Sequence, residues 1–295
     1  MYYFNYEEPV FRPPSEARSL IFQITVGCSQ NHCRFCGMYK MKQFRLRSLE
    51  EIAAEIDAVP RGHRAGVRRI FLADGDALVY PQEGLLQIMR MMQDAFPNLT
   101  RFSAYASPRS LTTKTRSDLE VLRNNKLRVL YFGLESGDPK TLDLVEKGYS
   151  PDEMLTLCQK AQAAEMKLSI TAILGLGGQE RTVEHATATA EWVTRLSPTY
   201  FSLLTLFKRH NDDFFDLITP LTRGQVLEES LAIVRQLKPQ GTILRSNHVS
   251  NLLALAGTYP KDRQHLIDTA EAAVLKARQH PQWFNEVPDY HEDLF

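Results

Sequence analysis

Apolar strand-like runs alternating with amphipathic helical stretches predict an α/β fold. The form expected is a partial, open (β/α)6 barrel of parallel strands, followed by a mainly helical C-terminal flank. Three observations carry this: the alternation itself, the length of the helical connections, and a change of pattern after residue 207. The strand runs fall at 20–26 (Leu-Ile-Phe-Gln-Ile-Thr-Val), 69–73, 101–106, 127–134, 168–176 and 199–207. Between them, helical periodicity spans about 48–58, 82–95, 114–125, 150–165 and 181–196. Connections of that length join parallel strands by right-handed crossovers. Six such units are too few for a closed eight-fold barrel, and functional loops belong at the carboxyl ends of the strands. Two helices open on capping boxes, Ser48…Glu51 and Ser150-Pro151-Asp152-Glu153, the second with proline at the first helical position.

The chain therefore reads as a proline-bearing lead-in (1–19, with Pro9, Pro13 and Pro14), a barrel (20–207) and a flank (208–295). Within this region, a helix at about 221–238 and another at about 261–279 enclose an irregular stretch, 239–259, and together read as a substrate-covering lid or a flank. There is no solenoid-period repeat and no low-complexity tract.

Composition narrows the function classes. Among 295 residues, 35 are acidic and 35 basic, so no nucleic-acid partner is expected. No apolar run approaches the roughly 18 residues needed to span a bilayer, so no membrane association is expected. The start, Met1-Tyr2-Tyr3-Phe4-Asn5-Tyr6-Glu7-Glu8, lacks a basic-then-apolar signal layout. Four cysteines do not make a disulfide scaffold in a chain this long, which points to a reducing cytoplasm.

Three of those cysteines carry the chemistry. Cys28, Cys33 and Cys36 lie in Gly27-Cys28-Ser29-Gln30-Asn31-His32-Cys33-Arg34-Phe35-Cys36, a C-x4-C-x2-C spacing directly after the first strand. Thiolates so spaced can converge on one iron–sulfur cluster, and a trio leaves one iron of a four-iron cluster open. Blander readings exist. Zinc would need a fourth ligand, for which His32 is available but sits inside the tight loop. A two-iron ferredoxin would need a distant cysteine, and only Cys158 remains. That residue shares a helical face with Met154, Leu155 and Ala161, the spacing of a core position.

The trio, with aromatic Phe35 between its last two members, resembles the cluster loop of radical S-adenosylmethionine enzymes, whose usual spacing is C-x3-C-x2-C; this chain has one more residue in the first gap. Further motifs fall at strand ends. Ala73-Asp74-Gly75-Asp76-Ala77 stands where that superfamily has a Gly-Gly-Glu-like motif holding the cofactor amine. Tyr131-Phe132-Gly133-Leu134-Glu135-Ser136-Gly137 resembles the Glu-Ser-Gly run of the oxygen-independent coproporphyrinogen-oxidase-like branch. Gly175-Leu176-Gly177-Gly178 matches a small-residue loop near adenine. Taken alone, Asp74-Gly75-Asp76 is an ordinary turn and the glycines a plain loop.

The resemblance implies a [4Fe-4S] cluster on Cys28, Cys33 and Cys36, with S-adenosylmethionine chelating the open iron. Reductive cleavage would give a 5′-deoxyadenosyl radical that takes a hydrogen atom from a small-molecule substrate. Flavodoxin or ferredoxin would serve as electron donor. It also implies Asp74 and Asp76 for the amine, Glu135 and Ser136 for the ribose or carboxylate, Gly175 and Gly177 for adenine, and Tyr39 and Ser107 as further cofactor contacts. Two alternatives accompany this reading: cleavage of a different carbon–sulfur bond with aminocarboxypropyl transfer, and a non-catalytic haem or cofactor carrier using His32, His210 or His248. Arg45, Arg47, Arg109 and Arg245 would suit a substrate carboxylate or phosphate, although isolated arginines more often serve the surface. Tyr105 and Tyr131 read first as core, second as hydrogen-atom relays.

Overall fold

A computed structural model describes residues 4–288. Eight strands form a mostly parallel sheet: β1 (Leu20–Gln23), β2 (Arg69–Ala73), β3 (Arg101–Ala106), β4 (Leu127–Glu135), β5 (Lys167–Leu174), β6 (Tyr200–Thr205), β7 (Ile243–Ser246) and β8 (Leu255–Thr258). The longer helices are α1 (Leu49–Ala58), α2 (Gln82–Ala95), α3 (Arg116–Asn124), α4 (Pro151–Ala163), α5 (Gly178–Leu196), α6 (Arg223–Gln236) and α7 (Arg263–Gln279). The strand runs and helical stretches expected between 20 and 207 are present with ends shifted by a few residues, except that the 20–26 run divides: Leu20–Gln23 joins the sheet, while Thr25–Val26 pairs antiparallel with Arg45–Leu46. The Ser48–Glu51 capping box forms in full at α1, and Glu153 closes on Ser150 at the start of α4.

The flank departs from expectation. Its stretch 239–259 contains β7, parallel to β6, and β8, antiparallel to β7. Four-residue runs carry too little periodicity to announce a strand; the open edge of β6 recruits them.

The chain divides into two compact units. One comprises residues up to Asn31, Met38–Phe132 and Leu157–Leu168; the other comprises His32–Gly37, Gly133–Thr156 and Ser169 onward. In the first, β1, β2, β3 and β4 pair in parallel. Their register aligns Ile21, Phe71, Ser103 and Val129, and next Tyr105 and Tyr131. Two-residue alternation places these on one face. There Phe71, Ala73, Val129 and Tyr131 form a buried cluster, with Val10, Ile21 and Tyr105 against it.

The lead-in is an integral part of this unit. Gln23 donates to Glu7 O (3.1 Å) and accepts from Glu7 N (2.9 Å), while Tyr6 Oη donates to Ile21 O (2.7 Å). Such contacts cover β1, which lies at one end of the sheet and would otherwise expose an edge. Fully buried Glu16 then accepts from Tyr131 Oη (2.7 Å) and Arg101 Nη2 (2.7 Å) and from Ser19 Oγ. Tyr131 is thereby committed to packing and to this carboxylate.

The second unit carries β5, β6, β7 and β8 with α5, α6 and α7. Val145, Ile173, Leu176, Phe214 and Ile218 form a buried cluster that also receives Phe35. No helix among the described residues is long and apolar enough to cross a membrane.

Candidate functional site

The first unit gathers Cys28, Tyr39, Asp74, Asp76 and Ser107 around the carboxyl end of β2. Gly75 makes this approach possible. A Cβ there would lie 2.6 Å from Cε2 of Tyr39 and 2.9 Å from Cβ of Cys28, so only glycine lets the strand end press against the first cysteine.

Asp74 and Asp76, equivalent as a sequence pair, differ in the folded chain. Both are fully buried. Asp76 is saturated: Ser107 N (3.1 Å) donates to Oδ1, while Ser107 Oγ (2.7 Å) and Ser29 Oγ donate to Oδ2. It thus ties the cysteine loop to the end of β3. Asp74 is half-satisfied. Gln23 Nε2 (2.8 Å), Gly27 N (3.1 Å) and Lys42 Nζ (2.7 Å) all donate to Oδ2, whereas buried Oδ1 has no donor. Burial pushes the Asp74 carboxyl up from the ordinary range, against the hydrogen bonds from Lys42 and Gln23. Burial pushes Asp76 up too, opposed by Ser29 and Ser107. Lys42 Nζ also donates to Pro9 O (2.6 Å), so the lead-in helps orient the lysine. Neither Lys42 nor Gln23 is marked as functional by any motif.

The second unit holds Cys33, Cys36, Glu135, Ser136, Gly175 and Gly177. Phe35 explains the aromatic residue between the last two cysteines: it anchors that stretch in the cluster containing Leu176, the neighbour of Gly175 and Gly177. Asn211 Nδ2 donates to Phe35 O (2.6 Å), and Arg34 N donates to Val145 O (3.0 Å). Glu135, at φ 65°, occupies the left-handed region at the end of β4, a strained conformation for a non-glycine residue. Its Oε1 accepts from Lys147 Nζ at 3.0 Å. Gly175, at φ +82°, opens the small-residue turn after β5. Around it, Leu174, Leu206, Leu221 and Val226 line an apolar cleft with Thr205.

One face of α5 reads the turn after β4. Arg181, His185 and Thr189, spaced by four, contact Asp138, Ser136 and Gly137 respectively. Ser136 is fully buried and hydrogen-bonded to His185 Nδ1 (2.7 Å), so its hydroxyl is engaged within the protein. Asp138 takes a two-point pair from Arg181 (2.7 and 2.9 Å) and caps the helix Pro139–Leu144 through Thr141 N (2.9 Å). Burial opposes its ionisation, but the hydrogen bonds from Arg181 and Thr141 outweigh that and hold the carboxyl at about 2. Because the folded value lies below the ordinary 3.8, the stabilisation is complete above pH 4 and is lost as pH falls through about 2. Arg181→Ala should remove about 2 kcal/mol at pH 6. Denaturant midpoints of parent and variant should converge on acidification toward pH 2; a constant gap would contradict the assignment.

The arginines considered for substrate are structural. Arg47 is buried against Glu55 (2.6 Å) and donates to Gln23 O (3.1 Å). Arg45 pairs with Glu7 and Glu51, Arg109 donates to Ser29 O (3.0 Å), and Arg245 to Leu244 O (2.9 Å). His248 meets Ser250 Oγ (2.8 Å), and burial lowers its pKa.

The residues fit the cofactors the resemblance implies. The trio supplies soft donors suited to iron and sulfide. An orphaned buried carboxylate oxygen beside the first cysteine calls for a cationic donor. Cys158, by contrast, is fully buried, and burial pushes its thiol up, away from the thiolate a ligand must be. Among the described residues no three His, Cys, Asp or Glu side chains are gathered to hold a single metal ion. A cubane makes a different demand, since each thiolate binds its own iron.

A mostly parallel α/β sheet, with a cysteine loop after its first strand and carboxylates after its second, has the layout that the sequence resemblance implies for a partial-barrel enzyme. The radical SAM superfamily profile matches residues 22–193, and the chain belongs to that superfamily of enzymes. It is 26% identical over 152 residues to a putative methylthiotransferase of Methanocaldococcus jannaschii, covering 48% of this chain and 32% of the relative. An uncharacterised protein of the same organism is 22% identical over 221 residues, covering 69% and 43%. The chain thus spans less than half the length of these curated relatives. Among solved structures, methylornithine synthase matches with TM-score 0.53 at 13% identity over 94% of this chain and 84% of that one. A radical S-adenosylmethionine methyltransferase from Kitasatospora setae, with cobalamin and a [4Fe-4S] cluster bound, matches with TM-score 0.53 at 17% identity over 68% and 39%. At such identities the likeness is one of fold, a partial barrel. Family membership implies a [4Fe-4S] cluster and S-adenosylmethionine.

Proposed function

We propose that this enzyme holds a [4Fe-4S] cluster on Cys28, Cys33 and Cys36, binds S-adenosylmethionine beside it, and acts on a small molecule. The observation that carries the proposal is the unpaired Oδ1 of Asp74, buried next to a glycine that packs on Cys28. A ligand ammonium would satisfy that oxygen, while Lys42, Gln23 and Gly27 hold the other one fixed. Asp76 would position the loop through Ser29 and Ser107, and Tyr39 would back the strand end. Glu135, oriented by Lys147, would meet the ribose, with Ser136 and His185 holding the turn. The cleft beside Gly175 would take a flat ring between Leu206 and Leu221, with backbone at close range. When bound, the cluster and S-adenosylmethionine would supply a reductively generated carbon radical; the chain's part is orientation and exclusion of water.

Two outcomes separate the possible cleavages. Reduced, oxygen-free protein incubated with S-adenosylmethionine should release 5′-deoxyadenosine, identified by chromatography. 5′-Methylthioadenosine would instead mark aminocarboxypropyl chemistry, and absence of either product from cluster-loaded protein would reject the proposal. The name of the methylthiotransferase relative suggests sulfur insertion as a further activity, but the three cysteines of the loop are the only grouped cysteines in this sequence. The Glu-Ser-Gly turn alone supports a coproporphyrinogen-oxidase-like substrate, and its serine is turned inward. Flavodoxin or ferredoxin remains the proposed electron donor.

A further inference from the structure

The second unit contains a buried acid that the proposed chemistry does not use. Glu229 sits on the apolar side of α6, among Val226, Leu227, Ile233 and Val234, and is 2% exposed. A carboxylate in such a place is costly unless its oxygens are satisfied. Both are. Gly175 N donates to Oε2 at 2.6 Å, and Thr182 Oγ1 donates to Oε1 at 2.7 Å. His185 completes the group, with Nε2 3.9 Å from Oε2. The hydroxyl of Ser136 accepts from Asp138 N (3.0 Å) and is hydrogen-bonded to His185 Nδ1 (2.7 Å). At 3.9 Å the contact between His185 and Glu229 is not a hydrogen bond, and buried Nε2 has no hydrogen-bond partner.

A buried group thus runs from the turn after β4, through the hydrogen-bonded Ser136 and His185, across a 3.9 Å contact to Glu229, and on to the amide that opens the small-residue turn after β5. Those two turns are the ones assigned above to the ribose and the adenine. Gly175, at φ +82°, carries no side chain to pack, and its amide bonds to Glu229 rather than to a carbonyl of its own turn. A carboxyl oxygen held on a helix is a firm acceptor.

We propose that Glu229 is a positioning residue for S-adenosylmethionine, setting the Gly175 peptide and coupling it through His185 to the Glu135–Ser136 turn. This inference rests on the cofactor assignment above. In the cluster-loaded, oxidised protein, where no turnover occurs, S-adenosylmethionine affinity should be measured by calorimetry, with hydrogen exchange at the Gly175 amide alongside it. Glu229→Leu replaces a buried polar side chain by one that suits its apolar neighbours, so iron content and melting temperature should hold. The dissociation constant should nevertheless rise about tenfold, the loss of one charge-assisted hydrogen bond, and the Gly175 amide should exchange faster. Glu229→Gln keeps an acceptor in place and should restore both readouts. Thr182→Val, at a half-buried position, releases one carboxylate oxygen without entering the core. It should raise the constant about threefold, and it serves if the leucine variant does not fold. Unchanged affinity in the substituted proteins despite faster Gly175 exchange, or persistent protection of that amide in Glu229→Leu, overturns the proposal. Failure of the parent to bind S-adenosylmethionine would reject the cofactor assignment instead, and would leave the Gly175 exchange result standing.

Discussion

Cys33→Ala protein, reconstituted with iron and sulfide under anaerobic conditions, is expected to show no stable cluster absorbance and no cleavage of S-adenosylmethionine. Cys28→Ala and Cys36→Ala should behave alike, because a trio has no spare ligand. The fourth cysteine cannot substitute. Cys158 is fully buried on α4, and desolvation keeps its thiol protonated. The paired control is therefore Cys158→Ala, which should retain full iron content and cost about 1–2 kcal/mol of stability as a core truncation. Iron loss from that control, or a complete cluster in any loop variant, would overturn the ligand set. Phe35 gives a graded companion: it packs with Val145, Ile173 and Leu176, so Phe35→Ala should loosen the Cys33–Cys36 stretch and lower cluster occupancy without removing a ligand.

The barrel was legible because its elements are local. Each of β1 to β6 is an apolar run bounded by turn residues, and the helices between them announce themselves by period and by caps such as Ser48. The flank was less so. Strands β7 and β8 are four residues each and exist because β6 offers an edge, a long-range cause that no window of sequence contains. The site shows the same division. Cysteine spacing points to Cys28, Cys33 and Cys36, and the family resemblance adds Asp74 and Gly175 as candidates. Their supports do not announce themselves: Lys42 looks like a surface lysine after the cysteine loop, and Glu229 like a helical glutamate with an ordinary exposed face. Arg45 and Arg47 mislead in the opposite direction. They follow the loop as a substrate clamp would, yet their partners are Glu7, Glu51 and Glu55, which only folding brings to them. A faint signal existed for Glu229, since it falls on the apolar stripe of α6. The N-terminal segment hid its role for another reason: Glu16 finds Tyr131 and Arg101 far along the chain, so nothing nearby in sequence hints at them.

Lys42 offers the sharpest division between stability and cofactor binding. Its ammonium is 4% exposed and lies 2.7 Å from the fully buried Asp74 carboxylate. Removing one member of such a pair leaves the other charge without compensation, so Lys42→Met should cost about 3–5 kcal/mol in denaturant unfolding. Asp74→Asn in the same chain removes the stranded charge while keeping an acceptor for Gln23 and Gly27. The double variant should therefore recover most of that loss. Cofactor affinity should not recover with it. The unpaired Asp74 oxygen is the group assigned to the ammonium of S-adenosylmethionine, and a neutral amide meets a cation far less well. The double variant is expected to bind S-adenosylmethionine at least about tenfold more weakly than the parent, with its iron content intact. Stability and affinity would then move in opposite directions between the single and double variants, which no general loosening of the fold produces. Parental affinity in the double variant would show that the amine is held elsewhere, and would reduce Asp74 to a brace for Gly27 and Gln23.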